Sequence, residues 1–406
     1  MVRGILGARA RTLGGLVLGL GGACFRGEGT LGSICGGDED CGDGQRCRTE
    51  VCGYCGDGLA QRGELCLVAD AELGTGPVVS PGELLAADLD GDSRVDLVVR
   101  NVDGIPEQWA GDGQGRWSVV AEASGVGARG ALRLAALDDD ERLDLVVLDD
   151  DAPALHLGRG LAEGGWSFGE AVVLTEPALD LAAAGLTRGG PAWVAWVDDG
   201  GLWQAVVDPS TGALTEPLRI DEGRRLRVGD PAAVDADDAL DLPVVDRVAM
   251  QLELWRGDGA GGLVRDPAPI GLPAPPLEVI AADVDGDGDV DLLVPDEEGG
   301  ITVVVGDGEG SLGVAQRPEL PGPASTVVVT DLDRDGDRDL LALVEHASPV
   351  WALIGRGYRH HDAIALPVEA EVGSLVVVDG DRDGLEELLL GPRSGVAALR
   401  IVEVAP

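Results

Sequence analysis

The chain is poor in aromatic, basic and histidine residues. Its 406 residues include two Phe, two Tyr and four His. Val, Leu and Ala must therefore fill any core, and apolar residues at 45 % of the chain are enough for a large one. His360 and His361 stand beside Asp362 and read as a polar loop, while His156 and His346 stand apart, which argues against a His-rich metalloenzyme site. Lys and Arg number 30 against 73 Asp and Glu, a formal net charge of −43. Phosphates would be repelled, so nucleic acid and anionic membrane surfaces are poor partners. The chain lacks a G-x-S-x-G elbow, a phosphate loop and a dinucleotide fingerprint. It also lacks a convergent acid–base set with Lys, Arg or His, so the expectation is a protein that is not an enzyme. No stretch longer than about ten residues has a helical period, and none beyond the N-terminus is apolar enough to span a bilayer. An all-β chain follows.

The N-terminus carries different information. Residues 1–23 read as a secretory signal, with Arg3, Arg9 and Arg11 ahead of the apolar Leu13 to Leu20. Small residues then precede Cys24, as in bacterial lipoprotein signals, so lipid on Cys24 and membrane attachment through it are expected. The family's Leu lies three places before the cysteine, whereas Leu20 lies four before. Residues 24–66 hold all seven cysteines. If Cys24 is lipidated, six remain, an even set suited to three disulfides in an oxidising compartment. Cys52 and Cys55 have zinc-like spacing, but a second such pair is missing. The expected location is extracytoplasmic, either secreted or as an outer-membrane lipoprotein.

What remains, residues 67–406, is organised around an acid loop. Residues 281–294 read AADVDGDGDVDLLV. Five carboxylates in nine residues repel one another unless a cation sits among them. Oxygen ligands at alternate positions around glycines are calcium chemistry. The pattern recurs, and its last acid falls at Asp96, Asp144, Asp241, Asp291, Asp339 and Glu387. These are spaced by 48, 97, 50, 48 and 48 residues. The gap of 97 hides a degenerate copy in which Trp193 replaces the acid, giving seven copies.

Each copy reads as four short strands. In the first they are 83–87, 95–100, 106–110 and 116–122, with the acid loop between strands one and two. A Gly-Asp-Gly turn at 111–113 separates strands three and four, and recurs at 257–259 and 306–308. A period of 48 with four strands predicts a seven-bladed β-propeller of four-stranded blades. The last copy ends after its third strand. The segment Leu67 to Leu73 lies where a fourth strand would lead into the first copy. It is therefore expected to complete the last blade and close the ring.

These residues resemble the integrin α-type repeat called FG-GAP and its bacterial relative VCBS. Residues 283–294 with 306–308 carry the likeness most closely. The resemblance implies a seven-bladed propeller with calcium (Ca2+) in some of the loops. Carried over by position, the implied ligands are Asp283, Asp285, Asp287 and Asp291, with the Asp289 carbonyl. In the next copy they are Asp331, Asp333, Asp335 and Asp339, with the Asp337 carbonyl. The last copy offers Asp379, Asp381, Asp383 and Glu387, and the first Asp88, Asp90, Asp92 and Asp96. Ser93 stands where the family has glycine. Ala136 and Ala233 replace the first acid in two copies, leaving Asp138, Asp140 and Asp144, and Asp235, Asp237 and Asp241.

The expected function is adhesion or protein recognition at a bacterial cell surface by a monomeric, calcium-stabilised propeller, with a protein or glycan ligand. The alternative is a lectin-like propeller that stacks sugars on tryptophans such as Trp109, Trp255 and Trp351. A polysaccharide-active enzyme is a more distant reading. Arg256-Gly257-Asp258 spells an integrin-binding tripeptide, but its Gly-Asp belongs to the repeat's own turn.

Overall fold

A computed structural model describes residues 83–405, with short gaps that include 333–335, 345–349 and 383–385. It also describes strands within 23–79. The described residues form an all-β propeller. Blade one is Leu85–Ala87, Asp96–Arg100, Pro106–Gly111 and Trp117–Glu122, an antiparallel meander. Five more blades follow at 132–173, 180–222, 226–271, 280–316 and 324–365. The expected strand positions hold to within about two residues, the usual scatter of element ends.

Six complete blades are thus drawn from contiguous chain, not seven. Among the described residues the last copy supplies three strands to its sheet, Val372–Val378, Glu386–Pro392 and Arg400–Ala405, while Ala397–Ala398 pairs with Val78–Val79. Their sheet continues into Glu64–Val68 and then Ala23–Arg26. The strand next to the C-terminus was expected at Leu67 to Leu73; the paired residues are Cys66, Leu67 and Val68. The two ends of the cysteine-rich stretch pair with this sheet. Cysteine side chains, and the signal at 1–22, lie outside the described residues.

The second strand of each blade shows why the sequence reads as it does. Asp96–Arg100, Asp144–Asp149 and Asp291–Pro295 are buried at every residue. A strand covered on both faces by neighbouring blades is apolar throughout rather than alternating. Outer strands such as Trp117–Glu122 and Leu312–Gln316 are largely open to solvent. Small and aliphatic side chains fill the spaces between blades. Leu89 and Val98 of blade one meet Leu132, Leu145 and Val147 of blade two. Val378 and Leu389 of the last sheet meet Leu84, Leu97 and Val99 of blade one.

Leu145 is fully buried between blades one and two. Leu145→Ala is expected to cost roughly 2–5 kcal/mol by leaving a cavity. Val120→Ala on the open outer strand should stay within about 0.5 kcal/mol. Urea unfolding of both variants would read the contrast.

Candidate metal loops

The last acid of each clear copy is buried, and in five of the six it is held by the same pair of backbone amides, whereas Glu387 of the last copy accepts from Gly380 N at 2.6 Å. Asp96 accepts hydrogen bonds from Leu89 N at 3.1 Å and Gly111 N at 2.9 Å. Asp144 does so from Leu137 N and Gly160 N, both at 2.8 Å. Asp241 takes Val234 N at 3.2 Å and Gly257 N at 2.9 Å. Asp291 takes Val284 N and Gly306 N, both at 2.8 Å. Asp339 takes Leu332 N at 2.7 Å and Gly355 N at 2.6 Å. One carboxylate thus ties the start of the acid loop to the end of the third strand. The glycine is required there: a Cβ on Gly306 would lie 2.3 Å from Val290 O. Burial raises the pKa of Asp96, Asp144 and Asp291, against the two amide bonds that lower it. Asp241 is pushed up to about 6, again chiefly by burial.

Among the described residues, three loops gather a set of ligand oxygens. Asp88, Asp90 and Asp96 each offer one oxygen within 4.8 Å of the others, as do Asp283, Asp285 and Asp291, and Asp379, Asp381 and Glu387. Opposite oxygens around a calcium ion stand roughly 4.6–5.2 Å apart, twice the Ca–O distance, so these sets suit such an ion. The donor chemistry fits as well. Asp379 Oδ1 is buried without a hydrogen-bond partner. Burial, Asp287 and Asp283 together raise the pKa of Asp285, a repulsion that a cation would relieve.

The structure differs from the expected ligand sets in detail. Asp92 stands outside its group, paired with Arg94 at 3.0 Å. Asp287 also stands outside, accepting from Asp289 N at 2.9 Å. Asp331 accepts from Gly336 N at 3.1 Å, and the fully buried Asp339 is bound as above. The expectations for Asp333, Asp335 and Asp383 lie outside the described residues, and Asp337 belongs to none of the three gathered sets. Ser93 adopts φ 65°, the left-handed conformation that Gly288 holds at 92° in the matching position, so the turn keeps its shape.

The two copies without a first acid contain a cation of their own. Arg256 Nη1 donates to Asp235 Oδ2 at 2.6 Å, and its Nη2 donates to Gly310 O at 2.6 Å in blade five. Arg159 Nε lies 3.5 Å from Asp138 Oδ2, and Arg142 pairs with Asp140 at 2.8 Å. Arg159 and Arg256 both immediately precede the glycine that the last acid binds. The matching residues where acids gather are Ala110 and Val305. This exchange is legible in sequence once the third strand is aligned, but it escapes a reading confined to the acid loop. It also removes Arg256 from the tripeptide at 256–258, since its guanidinium is engaged within the fold.

The tryptophans are packing residues. Trp255 is buried, and Trp196 and Trp203 stack at 6.3 Å between ring centres. Trp109 is half-buried and donates to Glu107 Oε2 at 2.9 Å.

Residues 283–342 match the family model of the FG-GAP-like repeat. Curated protein sequences contain no match. Among solved structures, BBS1N in complex with ARL6DN, soaked with lead, superposes with a TM-score of 0.58 at 13 % identity. That likeness covers 84 % of this chain and 97 % of the other. A putative 6-phosphogluconolactonase from Bacteroides fragilis gives a TM-score of 0.53 at 13 % identity, covering 76 % and 92 %. At such identities the likeness establishes the propeller fold alone.

Arg256→Val combined with Ala233→Asp should convert the fourth copy into a metal loop. Isothermal titration is expected to show one calcium more per chain than the parent protein. An unchanged stoichiometry would refute the equivalence of guanidinium and metal at this position.

Proposed function

We infer that the chain is a calcium-stabilised, exported propeller that recognises a protein partner and does no chemistry of its own. The observation that carries this reading is the grouping of acids at one end of the first, fifth and last sheets, next to copies that use arginine instead. Each loop needs a positive charge; in blade one Arg94 reaches Asp92, outside the gathered set, and this reading assigns the charge at the gathered acids to an ion. The last sheet, joined by Glu64–Val68 and packed on blade one, serves in this reading as a seventh blade that closes the ring. Calcium in the loops of the last sheet and blade one would brace that junction from both sides. Residues 1–23 direct export, and lipid on Cys24 holds the protein at a bacterial membrane.

A protein ligand is favoured over a glycan because the tryptophans are engaged in packing. The related fold of BBS1N is seen in complex with another protein, ARL6DN. Loops projecting from a rigid ring are the usual place for such a contact.

Calcium at about 100 times its Kd is expected to stabilise the fold by about 2.7 kcal/mol per occupied loop. EGTA should therefore lower the melting temperature, and Asp283→Asn with Asp285→Asn should remove one increment of that effect. A melting curve indifferent to EGTA refutes the calcium reading.

Capture from native envelope extract by the immobilised full chain, with calcium and with EGTA, tests the function. A protein retained only with calcium is the expected result. Retention of polysaccharide alone would establish the lectin reading in its place.

A further inference from the structure

The strongest feature outside the acid loops lies at the other end of the first strands. There the six blades and the last sheet converge on a cavity of about 470 Å³, within the range of small-molecule sites. Its lining holds four carboxylates, Glu83, Asp180, Asp230 and Glu278, against two guanidinium groups, Arg133 and Arg227. Arg133 meets three of the four carboxylates, although its buried Nε has no hydrogen-bond partner. It pairs with Glu83, approaches Asp230 at 3.7 Å and Asp180 at 3.9 Å, and donates to Leu132 O at 2.8 Å. Glu83 and Asp180 also accept amide bonds, from Leu132 N at 2.8 Å and Val228 N at 3.0 Å.

Glu278 differs from the three acids that Arg133 meets. Its Oε1 is buried and has no hydrogen-bond partner. A buried acceptor left unmatched is costly, and a cationic donor would relieve that cost. Asp180, Asp230 and Glu83 repel its charge, and Arg133 attracts it. The groups contributed by blade six and the last sheet, Ser325, Thr326 and Ser374, are neutral.

We propose that this axial cavity binds a small aliphatic diammonium ion, one ammonium on Glu278 and the other toward the exposed carboxylate of Asp230. An ammonium supplies the donors that Glu278 lacks and offsets the excess of acid in the lining. A second ammonium suits Asp230, which is 66 % exposed at the rim. The acid loops lie at the opposite end of the same strands, so the inference does not depend on calcium.

Proton linkage supplies a signature. Burial, then Asp180 and Asp230, raise the Glu278 carboxyl to about 8, so it is largely protonated at neutral pH. An ammonium that favours the carboxylate would expel that proton, and affinity should climb from pH 6 to pH 8.

The test is isothermal titration of putrescine into the full chain held in excess calcium. Expected are one site per chain, proton release at pH 7, no binding of 1,4-butanediol, and at least tenfold weakening in Glu278→Gln. Weakening of less than tenfold overturns the proposal, because binding would then reflect only the acidity of the whole chain; absence of binding overturns it too. Circular dichroism checks folding. Should Glu278→Gln unfold, Asp230→Asn at the rim decides by the same threshold.

Discussion

One carboxylate, buried and bound by two backbone amides, is the constraint from which the repeat is built. It joins the loop after strand one to the glycine ending strand three, across strand two between them. The bond recurs in copies with gathered acids and in copies with arginine. Its purpose is therefore to hold the blade's corner, whatever cation sits nearby. Burying an ionised group is costly, and the two amides offset part of that cost. The residual penalty is visible in the raised pKa of Asp96, Asp144, Asp241 and Asp291. The third blade shows the alternative: Trp193 takes the acid's place and its ring joins the core with blade four.

The remaining loop acids follow from that corner. Once the loop is pinned, alternate residues turn inward and their charges converge, so a cation becomes necessary. Evolution of the repeat has two physical solutions. A guanidinium carried by the third strand is covalent and always present, and through Gly310 it also ties blade four to blade five. A metal ion is exchangeable, and makes the stiffness of its loop depend on the surroundings. In blades one, two, four and five the choice goes with two residues, the first acid of the loop or an alanine, and a small apolar side chain or an arginine just before the corner glycine.

Much of this was legible in the sequence. The 48-residue period located the strands, because a doubly covered strand must be apolar throughout and an acid loop must interrupt it. Periodicity could not show that the last acid is occupied by amides, since its partners lie seven residues before and about fifteen after it. Nor could it show that Asp92 and Asp287 fall outside the gathered oxygens, because loop dihedrals rather than spacing decide that. The blade count was read from repeats, whereas six blades are contiguous and the last sheet borrows strands from the N-terminal region. Pairing between chain ends leaves no periodic trace; only the missing fourth strand hinted at it.

The net charge of −43 first suggests a surface made for repelling. The structure assigns much of that charge to holding backbone. Asp198, Asp246 and Asp296 each accept two amides in the turns between strands two and three. Asp112, Asp258 and Asp307 do the same between strands three and four. With few aromatics to give rigidity through large buried surfaces, the chain fixes its short turns with aspartate, whose side chain mimics a backbone acceptor. Acidity is then a by-product of turn chemistry repeated along the chain, and cations are what make it tolerable. On that argument Glu278 stands apart: it serves no turn, binds no amide through Oε1, and sits where the sheets converge. An acid unexplained by the architecture is where a ligand's chemistry should be sought.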